Sequence, residues 1–203
     1  MTSQNLDAID SSRARSLGRV AREQLTNAQR NYRSALLCQK LQQCRWYQEA
    51  TCVAAYVATH DEANINALIR HALSVGKTVV VPYIETHTLM RFVRVDDNTK
   101  WQIDRHGISQ PIMTSRFGSH DIAATRIDVV YAPLTAFDAQ FNRVGMGGGY
   151  YDRYFGMHRT RRASKRIGIG FNVQHTTCIA THEWDVGMNA IATERGIIRI
   201  KQR

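Results

Sequence analysis

No stretch of this chain runs to eighteen apolar residues, so a membrane-spanning helix is excluded on length. The first fifteen residues are polar and lack the apolar centre and small-residue cleavage site of a secretory signal, so none is expected there. Cysteine is scarce, with four residues at positions 38, 44, 52 and 178, and none of them forms a C-x-x-C pair. That spacing fits neither a zinc site nor a disulfide framework and predicts reduced, buried thiols in a cytoplasmic protein. Internal repeats and low-complexity tracts are both missing.

What is present is the profile of a globular protein: 203 residues, 43% hydrophobic and 22% charged. A chain of this length forms one domain and buries roughly 70% of its unfolded surface, enough to fold without disulfides or a structural metal. Lys and Arg outnumber Asp and Glu by 27 to 17, a formal charge of +10. Such a surplus predicts anionic partners: nucleic acid, a membrane surface, or small phosphates and carboxylates.

The pattern along the chain predicts a single α/β domain with a mostly parallel central sheet flanked by helices, plus an N-terminal helical segment. Residues 1–12 are expected to be poorly ordered and 13–203 to form the domain. Residues 13–45 read as one or two amphipathic helices, with a break or cap near Thr26 and Asn27. The run 52–57 reads as a buried strand. A helix capped by Asn64 follows, with Ile65, Leu68, Ile69, Ala72 and Leu73 on one face and Gly76 as its stop. The β-branched run 78–81 completes a βαβ unit, hence parallel strands. Further strands are expected at 89–95, 127–131, 167–171 and 190–200, and a helix from about Tyr150 to Thr160. Residues 96–119 read as loops and short turns over the sheet.

The segment Asn142-Arg143-Val144-Gly145-Met146-Gly147-Gly148-Gly149-Tyr150-Tyr151-Asp152-Arg153 places four of the thirteen glycines within five residues. Glycines at this density let backbone N–H groups converge on an anion, and the helix expected next adds partial positive charge. Arg143 and Arg153 flank the loop, and Asp152 offers a hard oxygen for the Mg²⁺ that accompanies nucleotide phosphates. The loop is not a Walker A motif, because no lysine follows its glycines. It is not the dinucleotide fingerprint either, because Tyr150 stands where the last glycine belongs. The plainer alternative is a tight turn with both tyrosines in the core.

Asp61 and Glu62 follow the first strand, where parallel sheets bind ligands, although two acids before a helix also favour its dipole. Residues 158–166 carry five full positive charges, read as a solvated loop without the aromatic interleaving of a single-strand platform. His182-Glu183-Trp184-Asp185 lacks the second histidine of a zinc helix and reads as a turn.

Arg143 through Arg153 resembles the R-L-G-x-G-G-G-Y-Y-D-R signature of the 5-formyltetrahydrofolate cyclo-ligases, also called methenyltetrahydrofolate synthetases. Pro133-Leu134-Thr135-Ala136-Phe137-Asp138 is similar to the family's P-x-x-A-F-D segment. Gly107-Ile108-Ser109-Gln110-Pro111 is similar to its G-I-x-E-P turn, with Gln110 in place of glutamate, and Thr193-Glu194 to its T-E. The resemblance implies an ATP- and Mg²⁺-dependent closure of 5-formyltetrahydrofolate, with or without a polyglutamate tail, to 5,10-methenyltetrahydrofolate through a phosphorylated formyl group. It implies ATP contacts from Arg13, Arg15 and Arg143 through Tyr151, and substrate contacts from Glu62 and from Met146 through Tyr150. Arg143, Tyr150 and Tyr151 would serve the reaction, with Asp152 on the metal. Met146 stands where many members carry a basic residue, and Asn189 where some supply an acidic metal ligand. The competing readings are a related nucleotide-dependent enzyme with another acceptor and, least favoured, a basic nucleic-acid-binding module. No feature of the sequence sets an oligomeric state.

Overall fold

β-branched runs alternate with amphipathic stretches because each strand must be covered by a helix on the way to its parallel neighbour. The computed structural model describes residues 8–104, 107–113, 127–157 and 164–200. Its helices are α1 (Ser11–Glu23), α2 (Asn27–Gln42), α3 (Arg45–Glu49), α4 (Asn66–Ser74) and α5 (Tyr150–Met157). The first strands are β1 (Cys52–Ala54), β2 (Thr78–Ile84), β3 (Met90–Val95), β4 (Trp101–Ile103), β5 (Ser109–Pro111) and β6 (Val129–Pro133). They are followed by β7 (Ala136–Phe137), β8 (Arg143–Val144), β9 (Lys165–Ile169), β10 (Ala190–Thr193) and β11 (Gly196–Arg199).

Seven strands form one sheet in the order β11-β10-β9-β6-β1-β2-β3. The interior pairs are parallel, and only the edge strands β3 and β11 run antiparallel to their neighbours. Alternate residues of the buried strands feed two cores. Val53, Val79, Val129 and Ile167 face α2 and α4, while Ala54, Val80 and Val130 share a cluster with Tyr154 and Phe155 of α5. Fully buried side chains such as Leu37, Leu41 and Leu68 each contribute roughly 1.5–3 kcal/mol. The α/β class and the mostly parallel sheet match the sequence expectation.

Several boundaries differ, each for a local reason. The expected break between the first helices is a capping box: the Thr26 hydroxyl accepts from the Gln29 N–H while the Gln29 side chain accepts from the Thr26 N–H. Ordered structure begins before residue 13, since Asp10 caps α1 and Ile9 bridges Ile179; residues 1–7 lie outside the described residues. Asn64 does not itself cap α4; its side chain accepts from the Asn66 N–H, and Ile65 occupies the cap. The loop expected at 96–119 contains the β4–β5 hairpin, and its remainder from 114 lies outside the described residues. The single strand expected at 190–200 is a hairpin turning at Glu194 and Arg195. All four cysteines are free. Burial, with the charge of Asp128, pushes the Cys52 thiol up to about 11 and keeps it protonated.

α1 lies across the end of the sheet on the β7–β8 hairpin, with Ala14, Ala136, Val144 and Ile179 in one small cluster. A Cβ added to Gly18 would stand 2.1 Å from the carbonyl oxygen of Thr135, so the helix can lie there only with glycine. Gly18→Ala gains roughly 1 kcal/mol of helix propensity and loses more to the clash. Urea unfolding is expected to show a net loss of about 1–3 kcal/mol; equal or greater stability would mean that α1 does not need this close approach.

Candidate active site

The strand order reverses between β1 and β6. From β1 the chain moves to β2 and β3, whereas from β6 it moves the other way to β9 and β10. Loops leaving neighbouring strands at such a point diverge and open a crevice beyond their carboxyl ends. Tyr56, Val57, Thr59 and Glu62 after β1, and Pro133, Leu134 and Thr135 ending β6, line a cavity of about 1530 Å³ there. A drug-sized ligand fills about 300–1,000 Å³, so this space suits two ligands side by side.

The glycine loop forms one wall. Upstream of it, Asp138 is buried and accepts from the Gln140, Asn142 and Ile179 N–H groups and from the Asn142 amide, which fixes the β7–β8 turn. The chain then leaves β8 through residues 145–149 into α5. Gly147 and Gly149 have φ of 104° and 62°, conformations that a side chain would strain. Two arginines hold the loop by its carbonyls: Arg15 Nε donates to Gly145 O at 2.8 Å, and Arg153 Nη2 to Gly148 O at 2.6 Å. Among the described residues, no N–H from Gly145 to Gly149 donates to a protein acceptor. Together with the first turn of α5, these unpaired donors make a concave anion site.

Arg143 lies beneath this loop with its side chain only 4% exposed. Its Nη2 donates to Asp152 Oδ1 at 2.9 Å, and its guanidinium packs over the Tyr151 ring. Asp152 Oδ1 also accepts from the Val186 N–H, which draws the 182–186 turn to the cavity. Asp185 lines the cavity there, its Oδ2 accepting from the His182 N–H, and Trp184 stacks on His182 at 4.7 Å.

Glu62 faces the cavity from the turn that follows β1. It is 8% exposed, and its Oε2 accepts from the Thr59 N–H at 2.9 Å. Burial raises its carboxyl above the ordinary range, against the Thr59 backbone bond and the charge of Arg22. The buried hydroxyl of Tyr151 has no hydrogen-bond partner among the described residues, and burial together with the charge of Glu62 pushes its titration far up. An acceptor with one free oxygen therefore lines the cavity, placed to hydrogen-bond a polar ring, with Tyr151 packed beside it.

Among the described residues, no group of three His, Cys, Asp or Glu could hold a metal. Asp152 Oδ2 and Asp185 Oδ1 make no other protein contact among those residues, so the protein offers two hard oxygens on one wall. Mg²⁺ fits such a set when phosphates and water complete the shell, not as a cage made of protein alone.

Of the residues expected from the sequence, the structure brings together Glu62, Arg15, Arg143 and Val144 through Asp152. Arg13 is exposed and does not line the cavity; one helical turn from Arg15, the residue on the cavity side is Ser11. Asn189 is not on the cavity: it ties β10 to β9, its N–H donating to Arg166 O and its Oδ1 accepting from the Arg166 N–H. Glu194 is likewise structural, accepting from Arg33 and from the Asn172 N–H. The expectations for residues 158–163 fall outside the described residues. Sequence reasoning missed Asp185 and Trp184, read as a turn, and Gln110 was noted only as a departure from a motif. Only the fold could place all three at the cavity.

A family model described as the 5-formyltetrahydrofolate cyclo-ligase family matches residues 10–194. The probable 5-formyltetrahydrofolate cyclo-ligase of Caenorhabditis elegans is 30% identical over 88% of this chain and 87% of its own length. The 5-formyltetrahydrofolate cyclo-ligase of Escherichia coli K12 is 27% identical over 71% of this chain and 78% of its own. The same fold occurs in the 5,10-methenyltetrahydrofolate synthetase of Aquifex aeolicus, with TM-score 0.80 and 22% identity over 95% of this chain and 94% of that one.

Asp152→Asn keeps the shape of this wall but removes the charge opposite a nearly buried guanidinium. Urea unfolding without any ligand is expected to show a loss of about 1–3 kcal/mol. Unchanged stability would mean that Arg143 draws its compensation from elsewhere.

Proposed function

Because the chain belongs to the 5-formyltetrahydrofolate cyclo-ligase family, we propose that this cavity holds ATP against the glycine loop and 5-formyltetrahydrofolate against Glu62. The observation that carries the reading is the pairing, in one cavity, of a loop with unpaired N–H groups and a buried acceptor on the turn after β1.

The formyl group on N5 is an amide and a poor electrophile. Transfer of the γ-phosphoryl group of ATP to the formyl oxygen makes that oxygen a leaving group and releases ADP. N10 then attacks the activated carbon and loses its proton, the carbon–oxygen bond breaks, and phosphate departs as the five-membered ring closes to 5,10-methenyltetrahydrofolate. Little covalent chemistry falls to the protein, whose work is positioning and charge neutralisation.

The N–H groups of residues 145–149 and the first turn of α5 bind the phosphates, and Arg15 holds the loop in shape from behind. Arg143 offsets the charge that develops on the transferred group, and Asp152 keeps its guanidinium aimed. Glu62 accepts hydrogen bonds from the pterin and so sets where N5 and N10 lie. Tyr150 and Tyr151 shape the space between the two substrates. When bound, Mg²⁺ supplies charge neutralisation along the phosphates, and Asp152 and Asp185 would hold it. The +10 surplus favours both anions, ATP and the glutamate of the folate.

Purified protein mixed with 5-formyltetrahydrofolate, Mg²⁺ and ATP is expected to form product, followed by the absorbance of the methenyl group, and to form none without ATP. Gly148→Asp should abolish ATP binding, since a Cβ there lies 2.8 Å from the Tyr150 ring and the added carboxylate repels phosphate. Glu62→Ala should weaken folate binding and spare ATP binding. Normal ATP binding by Gly148→Asp would overturn the placement of the phosphates. ATP binding without product would move the acceptor to another compound.

A further inference from the structure

Arg22 lies on α1, outside the cavity, and is 2% exposed. Its Nη2 donates to Asp61 Oδ2 at 2.5 Å, while its Nε and Nη1 have no hydrogen-bond partner among the described residues. A buried guanidinium with two orphaned donors is costly, and such a pair adds little to stability over apolar packing. What it does add is a fixed point. Asp61 also accepts from the Thr59 hydroxyl through Oδ1, and the Thr59 N–H in turn donates to Glu62. Arg22, Asp61, Thr59 and Glu62 therefore form one chain of contacts from the buried side of α1 to the cavity.

We propose that Arg22 is a positioning residue for 5-formyltetrahydrofolate: acting through Asp61, it holds the 59–62 turn and keeps Glu62 an ionised acceptor facing the pterin. The inference rests on the reading of Glu62 as the pterin contact and adds to it the group that tunes that contact. The charged and titratable groups facing Glu62 are Arg22 from α1, Asp61 from its own turn, Tyr56 beyond β1, and Tyr151 from α5. Asp61 is also within reach of His60, whose side chain is almost fully exposed.

The two charges nearest Glu62 act on it with opposite sign. Arg22 stabilises its ionised form, and Asp61 opposes it. Burial, with the charge of Asp61, holds the Glu62 carboxyl above its ordinary value, so removing Arg22 raises it further, and folate binding is then lost at a higher pH as pH falls. Removing the charge of Asp61 does the reverse. A purely structural role for the pair would weaken binding in both variants without moving the two midpoints apart.

The experiment is the dissociation constant of 5-formyltetrahydrofolate, without ATP, across about pH 5 to 8 for the wild type, Arg22→Met, Arg22→Lys, Asp61→Asn and Glu62→Gln. The midpoint is expected to rise by about one unit in Arg22→Met, to fall in Asp61→Asn, and to return toward the wild-type value in Arg22→Lys. Should Arg22→Met fail to fold, Arg22→Met/Asp61→Leu replaces the pair by apolar groups that buried sites tolerate, and its midpoint should lie above that of Asp61→Asn, in which Arg22 remains. A wild-type midpoint in the Arg22 variants, with the pH dependence gone in Glu62→Gln, overturns this proposal alone. Unchanged affinity and pH dependence in Glu62→Gln overturns the pterin contact itself.

Discussion

The close seat of α1 on the sheet end is the constraint from which the rest of the site follows. Gly18 lets the helix backbone come against the Thr135 carbonyl, where any side chain would collide. Arg15 stands three residues before it and Arg22 four after it, so all three fall on one stripe of the helix. The two arginines are about 10 Å apart along the axis. One reaches the glycine loop and the other the turn that carries Glu62. A single rigid rod thus sets the spacing between the two walls of the cavity, and a helix held even slightly farther out would release both.

Three arginines that reach inward are paired with carboxylates even though the chain as a whole is strongly basic. Arg22 meets Asp61, Arg33 meets Glu194, and Arg143 meets Asp152, each with one or both partners largely buried. Buried pairs of this kind specify geometry more than they stabilise. Two of them join segments distant in sequence, α1 to the turn after β1 and α2 to the β10–β11 turn, while the third ties β8 to α5 across the glycine loop. Among the described residues, Arg13, Arg19 and Arg45 are exposed, where basic charge acts on approaching anions instead of straining the core.

Much of this was legible in the residues because the signals were local. The run 78–81, the Thr26 break and the helix that follows the glycine loop each show within a few positions, and the structure has all three. What the residues alone do not carry is meaning that depends on a partner far away. Arg13 and Ser11 are equally polar, and only the helical stripe shared with Arg15 shows that Ser11 faces the cavity. Asn189 and Asp185 sit four residues apart, and only the pairing of β10 with β9 shows which is spent on the sheet. Residues 190–200 read as one long strand, although Glu194-Arg195-Gly196 breaks the apolar run with turn residues, and Arg33 and Asn172 hold Glu194 from elsewhere. Arg22 resembles any arginine of an exposed helix until Asp61 is placed beside it.

The docking of α1 also has a consequence in time. Ile9 pairs with Ile179, and Arg15 bonds a carbonyl 130 residues further on. A chain emerging from the ribosome can form α1 early, since helices need only local contacts, but the helix has no seat until most of the sheet has been made. Leu17 and Val20 on its surface, half exposed even in the finished fold, stay in water throughout that interval together with the face that will be buried. α1 can therefore be seated only after the chain as far as Ile179 has been made, and the wall of the cavity that it holds waits for the same contacts.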